Sequence, residues 1–424
     1  MMRLFRATVL LAALAAAGGL AAMRLLLSPR KALAAASIAE AHRARAGGAG
    51  MKHRLFKIAA LLAVLAVAGF LVAASGIVPI KASSGHWAIT AWLLHFTMRR
   101  SIATHTLGLK VPSLDDPSLV LRGAGHYETG CRPCHGSPNL PHPRIPQQMT
   151  PHPPYLPPRV SEWDPDELFY IVKHGVKFTG MPAWPTQQRD DEVWAIVAFL
   201  RTLPELDAEE YRRLVYGEAA PNSSVAPLHG LLPPEKAPRA VTESCGRCHG
   251  VDGRGRGAGA FPRLAGQRPA YLYAALQAFA RGERYSGMME PIAAGLSLEE
   301  MRELALYYGS LKELSPSPTP PEITLAIERG KAIASQGIPS QRVPSCVDCH
   351  GPGTTRRNPI YPMLAGQYAN YLILQLDLFN KGHRGGSAYA RLMRPVAARL
   401  NPEQIRDVAL YYESLTSTLD HPAR

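Results

Sequence analysis

Apolar residues concentrate in one long run near the start of the chain. Residues Ile58 to Ile80 carry no charge over 23 positions, and lysine or arginine flanks the run on both sides. About 20 apolar residues are enough for a helix to cross a bilayer core, so we expect a transmembrane anchor within residues 51–81. The basic residues before the run predict that this side stays in the cytoplasm and that the chain after Lys81 lies outside.

A cleaved signal peptide is the alternative for the same run. Ala73-Ala74-Ser75 could serve a signal peptidase. The run is longer than the roughly 7–15 apolar residues usual in such a leader, which favours the uncleaved anchor.

Beyond the anchor, the pattern of apolar positions is helical. Residues 82–116 form an amphipathic connecting segment, in which Trp87 to Leu109 is a candidate helix for the membrane surface or for packing on the first domain. Helical periodicity recurs in Pro269–Ala280 and in Ser297–Leu311, whose first turn is rich in glutamate. With no convincing strand run, the sequence predicts an all-α protein.

Three modules follow the connecting segment. We place them at residues 117–215, 239–314 and 321–419, separated by proline-rich linkers at 216–238 and 315–320 that should be extended and semi-rigid. The first linker is long enough for the last two modules to swing as a pair, and the second has only a few residues.

The second and third modules are an internal repeat. A seven-residue stretch beginning at Phe261 matches the stretch beginning at Tyr361, and Met289-Glu-Pro matches Met393-Arg-Pro. Other matched positions lie a hundred residues apart: Tyr271 and Tyr371, Leu276 and Leu376, Phe279 and Phe379, Gly282 and Gly382, Arg284 and Arg384.

Net charge does not indicate a nucleic-acid partner. The formal charge is +14, but residues 1–81 hold eleven Lys/Arg and one acid, which leaves 36 basic and 32 acidic residues downstream. That main body lacks the excess of positive charge that tracks phosphates.

The six cysteines carry the most specific signal in the sequence. All six belong to three C-x-x-C-H motifs: Cys131, Cys134 and His135; Cys245, Cys248 and His249; Cys346, Cys349 and His350. This is the signature of covalent haem c attachment, in which one helical turn presents two thiols to the two vinyl groups and the next histidine to iron. Zinc ribbons and thioredoxin-like pairs do not need that histidine, so we expect three covalently bound haems c with the three histidines as iron ligands.

A closed electron-transfer haem needs a sixth ligand, usually methionine or histidine. In the first module we choose Met181, in a Gly/Pro-rich loop, over Met149 and His174. In the second, Met288 and Met289 compete, and the repeat selects Met289 because Met393 stands alone at the matching place.

Haem attachment of this kind takes place outside the membrane, which constrains residues 1–50. Ala7 to Met23 is a second apolar run, and two spanning runs with Met1 inside would return the motifs to the cytoplasm. Either Met1 lies outside, or Met51 is the true start and residues 1–50 are a mis-annotated extension or leader. We favour the second.

Residues 239–419 resemble the tandem diheme cytochrome c4 family over nearly both modules, through C-x-x-C-H, [FY]-P-x-L-A-G-Q and the paired tyrosines near each end. The resemblance implies that Pro262 and Pro362 accept a hydrogen bond from the iron-ligating histidines. It also implies a basic residue after each proline, which Arg263 satisfies and Met363 does not. Residues 117–215 look like a class I cytochrome c module, with Pro154-Tyr-Leu156 as the corresponding turn. The expected fold is three tandem class I cytochrome c domains behind a transmembrane helix.

Such fused cytochromes imply an electron carrier rather than an enzyme. We expect a periplasmic triheme protein, held by a single-pass anchor in the inner membrane, that relays electrons from a quinol-oxidising complex to a terminal oxidase or soluble acceptor. The alternative is the cytochrome subunit of a periplasmic alcohol, aldehyde or sugar-acid dehydrogenase. A peroxidase or nitrite reductase would need an open iron position, which each methionine closes. No nucleic acid and no small-molecule substrate is expected.

Overall fold

The computed structural model describes residues 32–138, 140–217, 237–257, 259–311, 320–352, 357–386 and 389–416, with side chains from His53 onward. Every element of regular structure in these ranges is helical, apart from two isolated β-bridges. The predicted all-α fold is therefore confirmed. Most of the two predicted linkers and residues 1–31 of the predicted extension lie outside the described ranges.

The chain divides into two units, residues 1–81 and 82–424. The described part of the first unit is dominated by one helix, α1 (Ala32–Ala74). Its segment His53–Ala74 has a mean hydropathy of 2.6 over 22 residues, and its side chains are exposed. This segment is long and apolar enough to cross a membrane.

The second unit begins with α2 (Ala88–His105). The C-terminal half of α2 packs on the first module, because Ile102 is buried and the guanidinium of Arg99 lies 4.5 Å from the ring centre of Trp163. In the other half, Trp92 and Phe96 stack at 5.6 Å and remain exposed. The expected packing on the first domain is thus present at one end only.

The first module is a ring of helices around one hydrophobic interior. Its helices are α3 (Pro117–His126), α4 (Arg132–His135), α5 (Pro165–His174), α6 (Asp190–Thr202) and α7 (Ala208–Tyr216). Helix α3 crosses α6 at Gly123, where an added Cβ would overlap the backbone oxygen of Ala195. The buried carboxylate of Glu128 joins α7 to the turn before α4, since it accepts hydrogen bonds from Tyr211 at 2.7 Å and Tyr216 at 2.5 Å.

The second and third modules share one helical order after their short motif helix. The second contains α8 (Gly246–His249), α9 (Pro269–Ala280), α10 (Met289–Ala294) and α11 (Leu298–Ser310). The third contains α12 (Thr324–Gln336), α13 (Val347–His350), α14 (Ala369–Asn380), α15 (Ala390–Ala397) and α16 (Pro402–Ser414). The match between the two series agrees with the internal repeat.

Helices α12 and α16 cross as α3 and α6 do. Gly330 lies against the backbone of Asp407, and the Asp407 carboxylate is buried, receiving two hydrogen bonds from Arg329 at 2.6 and 3.0 Å. The glycine permits the close approach, and the ion pair fixes the register of the two helices.

Candidate haem sites

Each C-x-x-C-H motif lies on one helical turn. In the first two modules a π-helical turn ends at the first cysteine, and the helices α4, α8 and α13 then end at the histidines. The next residue is a glycine with positive φ: 73° at Gly136, 77° at Gly250 and 75° at Gly351. That conformation is costly for residues with a side chain, and it turns the chain away after the histidine. Two thiols and one imidazole are thus placed on one short, rigid segment.

The three histidines are oriented in the same way. Nδ1 lies 2.9 Å from the carbonyl oxygen of Pro154 for His135, 3.2 Å from that of Pro262 for His249, and 2.9 Å from that of Pro362 for His350. The hydrogen bonds expected from the resemblance are therefore present in all three modules. A proton on Nδ1 leaves Nε2 with a lone pair for iron. Burial lowers the pKa of each of these imidazoles, which favours the neutral form that binds a metal.

The six thiols form no disulfide. Burial raises the pKa of Cys131 to about 12 and those of Cys245 and Cys346 to about 11. A zinc site would need thiolates grouped with further ligands, and the described ranges contain no group of three or more His, Cys, Asp or Glu that could hold a metal ion. Uncharged sulfur in apolar surroundings fits a thioether instead.

One apolar cavity joins the second and third modules. Its volume is about 390 Å³. It is lined by both complete ligand sets: Cys245, Cys248, His249, Met289, Cys346, Cys349, His350 and Met393. The two candidate ligand sets therefore face one largely apolar space between the modules.

Positive charge without a carboxylate partner lines this cavity. Arg284 donates to the hydroxyls of Tyr371 at 3.0 Å and Tyr271 at 3.3 Å, and Arg384 donates to Gln375 at 2.7 Å. Among the described residues no carboxylate pairs with either guanidinium, and burial lowers the pKa of Arg384 to about 10.

Further buried nitrogens around the cavity have no hydrogen-bond partner among the described residues. They belong to Arg122, His126, Arg247 and Arg263. Buried cations and unpartnered donors are costly unless an anion meets them. The residues present therefore fit haem c, whose propionates are such anions.

The two competing methionines of the second module have different surroundings. Met288 is buried, belongs to the hydrophobic interior of the first module and also lines the shared cavity. Met289 starts α10 and lines the shared cavity. Met393 lies within α15 and lines the same cavity. Of these methionines, Met288 alone also belongs to the interior of the first module, and Met289 remains the predicted partner of His249.

In the first module, Met181 lies in a loop whose conformation is held by hydrogen bonds within the loop. The Met181 carbonyl accepts the N–H of Val176 at 3.2 Å, and its N–H donates to the hydroxyl of Thr179 at 3.1 Å. Met149 lies against Gly180 of this loop, so the two methionines are neighbours. His174 instead packs on Tyr170, with ring centres 4.7 Å apart.

The second and third modules are joined by reciprocal glutamine contacts. The Gln267 amide donates to the carbonyl of Met363 and accepts its N–H, both at 2.9 Å. The Gln367 amide makes the same pair of hydrogen bonds with the backbone of Arg263, both at 3.0 Å. These four hydrogen bonds hold the second and third modules together through a two-fold-like contact.

The first and second modules are also in contact, which the sequence did not indicate. The guanidinium of Arg256 donates to the carbonyls of Leu214 at 2.8 Å and of Val215, at the end of α7, and Arg247 donates to Thr129 at 2.6 Å. The expectation that the last two modules swing on a long linker is wrong in this structure. A linker's length bounds its reach but says nothing about whether the modules it joins have complementary surfaces.

Two family models of cytochromes match this chain. The family model described as cytochrome c oxidase, cbb3-type, subunit III matches residues 118–200, and the model described as cytochrome c matches residues 235–312. A thiosulfate dehydrogenase electron acceptor from Thiomonas intermedia is 37% identical over 191 residues, which are 45% of this chain and 82% of the relative.

Cytochromes c4 are also similar to this chain. Cytochrome c4 from Pseudomonas aeruginosa is 31% identical over 180 residues, covering 42% of this chain and 87% of its own length. The solved cytochrome c4 of Acidithiobacillus ferrooxidans is 34% identical, with coverage of 40% and 98% and a TM-score of 0.36.

Proposed function

Because this chain is a c-type cytochrome that belongs to the cytochrome c4 family, we propose that it is a membrane-anchored triheme electron carrier. The observation that carries the proposal is the threefold recurrence of one arrangement: a C-x-x-C-H turn whose histidine Nδ1 faces a proline carbonyl. Bound haem c supplies one-electron Fe(III)/Fe(II) chemistry. The chain contributes fixed ligands, dry surroundings and docking surfaces.

The proposed ligand sets follow the modules. Cys131 and Cys134, Cys245 and Cys248, and Cys346 and Cys349 hold the haems through thioethers. The proposed iron ligands are His135 with Met181, His249 with Met289, and His350 with Met393. A methionine opposite each histidine leaves no open coordination position, which supports a carrier rather than an oxygen- or substrate-activating enzyme.

We propose an inner-membrane location with the haem modules in the periplasm. The segment His53–Ala74 is long enough to span, and lysine and arginine precede it. The exposed aromatic half of α2 follows soon after in sequence, and indole and phenyl rings favour the membrane–water boundary.

The proposed partners are a quinol-oxidising complex as donor and a terminal oxidase or soluble protein as acceptor. A second candidate donor is a periplasmic dehydrogenase, because a 37% identical relative bears the name thiosulfate dehydrogenase electron acceptor. The two roles differ in the protein that donates electrons, and in both roles the same three haems carry them.

Met181→His tests the place of the first haem in this chain. Imidazole favours ferric iron more than thioether does, so we expect the potential of one haem to fall by on the order of 0.1 V, within the roughly 0.8 V range that axial ligands span. If the first haem lies on the route, quinol-driven reduction of the oxidase should slow while the other two haems keep their potentials. The measurements are a redox titration and turnover in membranes.

Met149→His is the matched control, since Met149 is the neighbouring candidate. An unchanged first potential in Met181→His together with a lowered one in Met149→His would reassign the ligand. Unchanged turnover with a lowered potential in Met181→His would take the first haem off the main route. Replacing quinol by thiosulfate and its dehydrogenase in the same assay separates the two candidate donors.

A further inference from the structure

The loop that bears Met289 is held by a side chain of another module. Glu192, in the first turn of α6, reaches this loop although 94 residues separate it from Ser286. The Ser286 hydroxyl donates to Oε1 at 2.7 Å, and the Gly287 N–H donates to Oε2 at 2.7 Å. Glu192 is only 3% exposed, so the contact excludes water.

Two more donors complete the surroundings of this carboxylate. Arg189 Nη1 lies 3.0 Å from Oε1, and Trp184 Nε1 donates to Oε2 at 3.1 Å. Burial raises the pKa of the Glu192 carboxyl, and these donors oppose the shift because they favour the charged form. Four donors and no acceptor suit a carboxylate, whereas a glutamine would have to turn its NH2 group toward another donor.

The hydrogen bonds continue from Glu192 to the backbone of Met289. The Ser286 hydroxyl, which donates to Glu192, also accepts the N–H of Met289 at 3.1 Å. Arg189 donates in addition to the carbonyl of Tyr285 at 2.7 Å. Residues of the first module therefore restrain the main chain from Tyr285 to Met289.

Packing restrains the same loop from a second direction. The indole of Trp184 lies so close to Gly287 that an added Cβ would overlap the ring. Met288 is inserted into the hydrophobic interior of the first module. Packing of Met288 and the hydrogen bond from the Met289 N–H to Ser286 thus restrain the two residues, and the side chain of Met289 lines the haem cavity.

We propose that Glu192 is a positioning residue for the second haem, through which the first module sets how firmly Met289 stays on iron. This inference rests on the proposed function, because it takes Met289 as the ligand opposite His249. The third module provides a comparison within the chain, since Met393 lies in α15 and the donors that meet the Glu192 carboxylate belong to the first and second modules.

Glu192→Gln in the full chain in detergent tests the proposal. Imidazole added to the ferric protein displaces a bound methionine only after its loop opens. Since removing a hydrogen bond to a charged group raises opening by about tenfold, we expect displacement about tenfold faster at one haem of three. Hydrogen exchange of the Gly287 and Met289 amides should accelerate by about the same factor, while exchange in the rest of α6 stays unchanged.

Glu167→Gln is the matched control. Glu167 is in the first turn of α5 of the same module, and its carboxylate accepts the backbone N–H of Asp164 at 3.2 Å. This variant therefore removes a charge without changing a contact with the second module. All three displacement rates should match those of the unaltered protein.

Met289→Ala separates the inference from its premise. It should remove the methionine–iron band of one haem and let that haem bind imidazole without a slow opening step. If Met289→Ala leaves all three bands, the proposed ligand of the second haem is wrong. If it removes one band and Glu192→Gln changes neither displacement nor amide exchange, the ligand stands and the positioning role of Glu192 is overturned. Faster exchange throughout α6 would also overturn it, since that is general loosening.

Discussion

Replacing Cys346 and Cys349 with alanine together is expected to yield a chain with two covalent haems instead of three. Both thioethers of the third module are lost, and the haem that they retain leaves with them. The pyridine haemochrome absorbance per chain should fall to two thirds. This is the largest effect that we expect from a change at one site.

The same variant should weaken the third module. The cavity between the second and third modules is lined by apolar side chains from both, and without its haem that surface is exposed to water or collapses. Hydrogen exchange in α14 and α16 should therefore rise, while α3 and α6 of the first module keep their protection.

Cys131→Ala with Cys134→Ala is the matched control. It should also reduce the count to two, but with α14 and α16 unchanged. Three haems in the Cys346/Cys349 variant, or two in the unaltered mature protein, would contradict the three-haem proposal.

Gly330→Ala is expected to destabilise the third module by about 2 kcal/mol. A methyl group here would overlap the backbone oxygen of Asp407, and overpacking of this kind costs roughly 1–3 kcal/mol or more. Alanine gains about 1 kcal/mol over glycine in a helix, which offsets only part of the cost because a backbone atom cannot move aside as a side chain can. For a module of this size we expect the midpoint of its thermal unfolding to fall by about 10 °C.

Gly295→Ala is the control for this change. The nearest atom to a Cβ there lies at 3.5 Å, an ordinary contact, so the thermal midpoint should stay within about 2 °C. Circular dichroism during heating, followed together with the haem absorbance, assigns each transition to a module. An unchanged midpoint in Gly330→Ala would mean that α12 and α16 can accommodate a methyl group where they cross.

The haem sites were predictable because their chemistry is local in sequence. Two cysteines and a histidine must lie on one turn, and the proline that orients the histidine follows 12 to 19 residues later. Met289 and Met393 were predicted through the repeat, since duplicated modules keep matched positions, and both line the shared cavity.

Contacts between modules were not predictable in the same way. Glu192 follows Asp190 and Asp191 at the start of α6, where acidic residues are expected for the helix dipole alone. Because the helix dipole already explains an acidic residue here, the sequence gives no sign that the Glu192 carboxylate is buried against another module. Arg284 and Arg384 were seen as matched positions, but only the structure shows that both reach Tyr271, since periodicity within a module does not give the orientation of its neighbour.

The reciprocal glutamine contacts also bear on how the two halves of the pair could come to differ. In the other module, each glutamine side chain bonds to main-chain atoms of residue 263 or 363. In its own module, it accepts the N–H of the next residue, Arg268 or Tyr368. Such an isologous contact is what a homodimer of single modules would use, and these four hydrogen bonds involve no side-chain atom of residue 263 or 363. The Arg263 side chain adds a hydrogen bond to the carbonyl of Gly366 on one side only. Once two copies were fused in one gene, those positions were free to diverge, as Arg263 and Met363 have. One half could then acquire its own electrostatic character, and its haem its own midpoint potential, without any loss of the ancestral symmetry that holds the halves together.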